Sequence, residues 1–303
     1  MTHQMKGRGR MDDFEIYECK KYEILAYKEI VAWERKRADY FTKVGDNITA
    51  PARYLVKKIG KKKFERLEKA VAGVVESLYR VSEITLSRSR FIKRLEKCGI
   101  ILDDLSELQS CCLKPLDECN YRYQKIHGAS AAIQGGIAGM TGEFAAPVDL
   151  SAMLVRMFNM IQNIAFCYGF DPDEPLEKEI MLRIIIVALG GIDVKREVLK
   201  EICYLRKIEQ EQHVGHYTDL VTKKAMERTV KRLGVALFLK LFSRAIPVLS
   251  VVVSAHSNYE MMQSSNEAAF MIYRKHFIER KRRLESEASG EYSPEKDECE
   301  CEI

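Results

Sequence analysis

The chain has 303 residues, of which 47% are hydrophobic and 31% charged, with a net charge of +5. That length allows one large domain or two small ones at about 100–200 residues each. The apolar share is enough for a packed core. No run reaches the about 18–20 apolar residues that a spanning helix needs, which argues against a simple transmembrane protein. Only 7 prolines and 17 glycines interrupt the chain, so long helices are easy to accommodate and a many-turned β fold is not.

Residues 1–11 read as a disordered N-terminus without the apolar segment of a signal peptide. A helix follows from about Asp12 to Phe41, with Tyr22, Ala26, Ile30 and Trp33 on one stripe. Gly45-Asp46-Asn47 is a turn, and a shorter helix ends at Gly60. Phe64, Leu67, Val71, Val74, Leu78, Val81 and Thr85 then alternate spacings of three and four, a heptad pattern that predicts a long helix packed along another. Lysine and arginine far outnumber glutamate between Arg53 and Lys97. That basic half suits an anionic surface, or else forms a solvated helix face.

Leu102–Leu113 reads as a short helix, with a restart at Pro115. From His127 to Gly169 charge nearly disappears. Gly128, Gly135, Gly139 and Gly142 lie on helical spacing, which lets two helix backbones approach closely. Each glycine costs up to about 1 kcal/mol in an exposed helix, so the row points to tight packing or function. It fits a helix crossing in a soluble core, or a zipper that enters or lines a bilayer.

The next helix carries the polar candidates. Asp149 is placed at its N-cap, Arg156 two turns on, and Asn159 and Asn163 beyond. Asp149, Arg156, Asn159 and Asn163 form a polar strip through an otherwise apolar helix, and buried polar groups need partners. The strip fits a structural network, or a pocket for an anionic headgroup with Arg156 as its anion contact. The helix stops at Tyr168-Gly169. Pro175 starts another that runs to Gly190-Gly191, and Asp193 caps a long polar helix. Gly215 or Gly234 divides the following segment, Pro247 kinks an apolar run, and a last helix spans about Ser264–Arg283. The acidic tail, residues 286–303, reads as disordered.

Glu209, His213 and His216 share one helix face and are the only metal-binding candidate. The order is not HExxH and no fourth ligand is evident, so no metal or cofactor is expected. Cys111, Cys112 and Cys119 lack paired CxxC spacing. The nine cysteines, an odd number, read as reduced and mostly buried. No nucleophile elbow or nucleic-acid motif is present, so neither an enzyme nor a nucleic-acid binder is the leading reading.

The run GGIAGMTGEFAAPVDLSAMLVRMFNMIQNIAFCYGFDPDEP, the later RAIPVLSVVVSAHSNYEMMQSSNEAAFMIYRKHF and the Trp33 helix together resemble the EcsC protein family of bacteria. Ser250, Ser254 and His256 stand where that family's terminal run has smaller residues. That family takes its name from an operon that also encodes the ATPase and membrane subunits of an ABC transporter linked to protein secretion, and the resemblance supplies no catalytic residues. The expected protein is an all-α multi-helix bundle with a Gly/Ala-rich central helix pair, its helical domain spanning residues 12–285. It is expected in the cytoplasm, peripheral on the inner face of the cell membrane, binding lipid or a membrane protein complex. The alternatives are an enzyme with a pocket at Asp149 and Arg156, or a soluble scaffold using the heptads.

Overall fold

A computed structural model describes residues 13–36, scattered positions between 62 and 76, and residues 88–102, 105–123, 147–211, 223–242 and 252–289. The described residues are helical, with no strand among them. Their order is α1 (Asp13–Arg35), α2 (Arg88–Lys97), a 3-10 turn (Leu105–Ser110), α3 (113–123), α4 (Pro147–Cys167), α5 (Pro175–Leu189), α6 (Ile192–Glu211), α7 (Lys223–Phe242) and α8 (Val252–Ser289). The all-α expectation holds. The glycine row, His213, His216, Gly215, Pro247, residues 1–11, and all of the heptad set but the buried Val71 lie outside the described residues.

Helix α5 lies at the centre, against α4, α6, α7 and α8. Its run of Ile180, Met181, Leu182, Ile184, Ile185 and Ile186 is buried on every side. A helix apolar all round belongs in a core, and each such side chain contributes about 1.5–3 kcal/mol on burial. Pro175 opens the helix, where a missing N–H costs nothing. At its far end a Cβ on Gly190 would meet Val194 Cγ1 at 2.6 Å, so only glycine lets α6 follow so closely.

Helix α8 is the second organiser. It packs on α5, α4, α1 and the 3-10 turn. At 38 residues it is longer at both ends than expected. Helix α1 runs antiparallel to it, fastened by Lys281–Glu23 at 2.6 Å, Arg274–Glu29 at 2.7 Å and Lys275–Glu34 at 2.9 Å. The stripe expected on α1 is in the core, with Ala26, Ile30 and Trp33 buried and Tyr22 packed beside them.

Several local expectations are corrected. Helix α4 begins at Pro147, so Asp149 stands inside its first turn rather than at the N-cap. Asp193 likewise sits in the first turn of α6, whose opening amide bond runs from Lys195 to the Gly191 carbonyl. Gly234 does not divide the chain but is buried inside α7. Cys19 and Cys112 are joined in a disulfide, with Cα atoms 5.6 Å apart, and Cys203 is also disulfide-bonded, so these three are not reduced thiols. The first link ties α1 to the junction between the 3-10 turn and α3, 93 residues away in sequence, which no local spacing announces.

Candidate functional site

The site grows from the end of α4. Gly169 adopts φ +74. Its N–H bonds to the Phe166 carbonyl and the Phe170 N–H to the Ala165 carbonyl, both at 3.0 Å. This pair of bonds is the Schellman arrangement, which needs a left-handed residue at the position Gly169 fills. The turn throws the two flanking aromatics in different directions. Tyr168 enters one ionic cluster and Phe170 a second.

The first cluster is closed. Asp117 accepts from the Tyr168 hydroxyl at 2.6 Å and the Tyr22 hydroxyl at 2.9 Å. Arg274 Nε lies 2.7 Å from Asp117 Oδ2, off the line of its N–H, so this contact is ionic rather than a directed bond. Arg274 Nη1 donates to Glu29 at 2.7 Å. Burial alone would lower the Arg274 guanidinium, but Asp117 and Glu29 reverse that and hold it above its ordinary value.

The second cluster is open. Arg206, on α6, grips Glu177 with both terminal nitrogens, and its Nη1 also donates to Glu209 at 2.9 Å. Glu177 belongs to the first turn of α5, where the helix dipole favours an anion. Tyr273 donates to the same carboxylate at 3.1 Å. Burial would lower Arg206, yet Glu177 and Glu209 keep it fully charged. Arg206 Nε donates to His276 Nδ1 at 3.1 Å, which assigns the imidazole proton to Nε2. Burial first, then Arg206, hold His276 well below its usual value, so the ring is neutral at pH 7.

Phe170 separates two guanidinium groups. Arg206 lies 4.4 Å from its ring centroid and Arg280 3.5 Å. Arg280 donates to the Gly169 carbonyl at 3.1 Å, while its buried Nη2 has no hydrogen-bond partner. Phe170, Arg206, Glu209, His276, Glu279, Arg280 and Arg283 enclose a cavity of about 140 Å³. One water needs about 10–15 Å³ of such space, so a small polyatomic ligand fits. Glu209 and Glu279 keep a third of their side chains exposed at its mouth, 33% and 34%.

The residues singled out in the sequence do not assemble here. Arg156 is exposed, Asn159 half-buried and Asn163 buried. Asn163 accepts from Arg94 Nη1 at 2.7 Å and returns a bond to the Asn159 carbonyl at 2.6 Å. The Asp149 side chain lies outside the described residues. Glu209 faces Arg206, and no group of three metal-ligating side chains forms among the described residues. The site residues that sequence reasoning passed over are Glu177, Arg206, His276 and Arg280. The one local signal was Tyr168-Gly169, read as a helix stop but not as a turn that aims Phe170.

A separate surface feature belongs to α1. Its outer side exposes Phe14 (71%), Tyr17 (61%), Ile24 (52%) and Leu25 (52%), opposite the buried stripe. Lys21, Lys28 and Arg35, seven residues apart, share that outer side.

The profile of the EcsC protein family matches residues 25–278. The chain belongs to the EcsC protein family. A Bacillus subtilis (strain 168) protein, the uncharacterized protein YdbA, is 25% identical over 272 residues, covering 86% of this chain and 94% of its own length. No solved structure matches. Within this EcsC protein the family region runs from α1 through most of α8. It includes Asp117, Phe170, Glu177, Arg206 and His276, whereas Arg280 and Arg283 follow it and Phe14, Tyr17 and Lys21 precede it.

Proposed function

We propose that the protein works at the surface of the cell membrane, where it docks on anionic lipid through the outer side of α1. The carrying observation is that α1 is apolar on two sides. One side is consumed by the core, and the other leaves Phe14, Tyr17, Ile24 and Leu25 in solvent. A surface helix needs one apolar face; a second, with cations in the same stripe, suits a helix lying in the lipid interface. Lys21, Lys28 and Arg35 supply the attraction, worth about 1 kcal/mol each near an anionic leaflet. No described helix is long and apolar enough to cross a membrane. The reading is therefore surface association, as an accessory to processes at that membrane.

Co-sedimentation of the full chain with phosphatidylglycerol-containing vesicles tests this. Binding is expected to weaken with salt and to drop by at least about tenfold in an Ile24→Ser/Leu25→Ser double variant, since both side chains lose their apolar contact. A chain that stays in the supernatant with such vesicles overturns the reading. Retention by native membranes but not by protein-free vesicles overturns the lipid assignment and gives the α1 face to a membrane protein instead.

A further inference from the structure

The geometry points to a second, independent site: the cavity between α6, α8 and Phe170 binds a phosphate-monoester group. It lies on the side of α8 away from α1, since Arg274, Lys275 and Lys281 face α1 while His276, Arg280 and Arg283 face the cavity. The site thus stands or falls separately from the membrane reading.

The charge distribution supports an anion. Glu177 is occupied by Arg206 and Tyr273, and Glu209 by Arg206. Arg280 has only a carbonyl and an aromatic face, with no carboxylate in ion-pair contact. A part-buried guanidinium without a counter-charge is costly, and a bound anion supplies the missing partner. Burial, and next the nearby Arg206, depress Arg280 to about 10; Glu177 and Glu209, both already held by Arg206, offset this only in part. Arg283 adds a further cation, whose Nε is only loosely engaged by Glu287 at 3.8 Å.

The donors suit a tetrahedral oxyanion. His276 presents Nε2–H, because its Nδ1 is already the acceptor for Arg206. Arg280 lines the cavity as well, and its buried Nη2 has no partner within the fold. Guanidinium forks match phosphate oxygens in pairs, and two forks with an imidazole N–H offer more donors than two carboxylate oxygens use. Burial pushes Glu279 up to about 7 against the pull of Lys275, which lessens its repulsion of an anion in the cavity. Glu209, part-exposed at the mouth, can accept from a hydroxyl or amino group carried next to the phosphate.

Phosphate chemistry of this kind comes from a soluble metabolite or from a lipid headgroup, and calorimetry separates them. Inorganic phosphate and glycerol phosphate are titrated into the full chain, beside vesicles of phosphatidylcholine with and without phosphatidic acid, the vesicles also with the Ile24→Ser/Leu25→Ser variant. Saturable binding of either soluble probe, weakened about tenfold to a hundredfold in Arg280→Gln and Arg283→Gln, supports the site with a soluble ligand. Binding confined to phosphatidic acid vesicles, lost in the same two variants but retained by the α1 variant, supports a lipid headgroup. Arg283→Gln leaves the partly exposed side of the cavity and is expected to melt as the parent does, so its binding loss is not a folding loss. Absence of binding to every probe, or affinity unchanged in both variants, overturns the proposal.

Discussion

Arg274 and Arg280 lie on the same helix, and the protein treats them in opposite ways. Arg274 is enclosed by Asp117, Glu29 and Tyr22, so its charge is answered within the fold. Arg280 is stacked on Phe170 and answered by a single carbonyl. A guanidinium whose partners are all internal holds helices together. One left short of a counter-charge beside a cavity is arranged for something that arrives from outside. The sharpest way to break this contrast is Asp117→Ala. It strands Arg274 without its inner carboxylate and leaves the Tyr168 and Tyr22 hydroxyls without their acceptor. Removing one partner of a buried pair costs about 3–5 kcal/mol. Urea denaturation should show a loss of that size. A loss under about 1 kcal/mol would mean that the cluster is no lock at all.

Gly169 links the two clusters and tests whether they are set by one turn. An L-residue in the left-handed region costs about 1–2 kcal/mol, and a Cβ there would also meet Leu108 Cβ at 3.3 Å. Gly169→Ala should therefore destabilise by about that amount. It should also weaken phosphate binding more than Asp117→Ala does, because Phe170 and the carbonyl held by Arg280 both move with the turn. Equal effects of the two variants on binding would show that the clusters are not separately positioned.

Acidification should act on the open cluster through His276. Its folded value lies well below 6.5, chiefly through burial and then Arg206. Below pH 6.5 the unfolded chain therefore takes up a proton that the folded ring refuses. Stability falls as pH drops from 6.5 toward the folded value, and this contribution vanishes above 6.5. The groups around the ring are Arg206 on α6 and Lys275 and Arg280 on α8, all cationic. His276→Gln keeps an acceptor for Arg206 without the titration, so its stability should fall less steeply over that window. Parallel curves for parent and variant would remove His276 as the cause.

Much of the helical layout was legible because local chemistry sets it. Pro175 and Gly190 bound α5, Tyr168-Gly169 ends α4, and the spacing of Ala26, Ile30 and Trp33 marks the buried side of α1. The open cluster was not legible. Arg206 lies in a polar helix, where a charged residue reads as solvated, and its partner Glu177 is 29 residues away. Arg280 belongs to a basic run that suits a helix end, yet α8 continues to Ser289. Arg156 drew attention because it interrupts an apolar helix, whereas it faces solvent. A lone charge in an apolar pattern is conspicuous, and a buried charge in a polar pattern is hidden. The Cys19–Cys112 pairing was invisible for a related reason: the α1 packing that joins them spans 93 residues of sequence.

The smallest expected effect is the most telling, because it mirrors the first. Arg280→Gln removes the stack on Phe170 and the bond to the Gly169 carbonyl, interactions worth about 1 kcal/mol each. It also removes a part-buried cation that repels Arg206 and has no carboxylate of its own. Gains and losses then nearly cancel, and the change in stability should lie within about 1 kcal/mol without phosphate present. Added phosphate should raise the melting temperature of the parent and leave the variant where it was, since only a ligand bound to the folded form stabilises it. If Arg280→Gln instead costs as much as Asp117→Ala, Arg280 is a structural arginine like Arg274, and the difference between the two clusters is one of exposure rather than purpose.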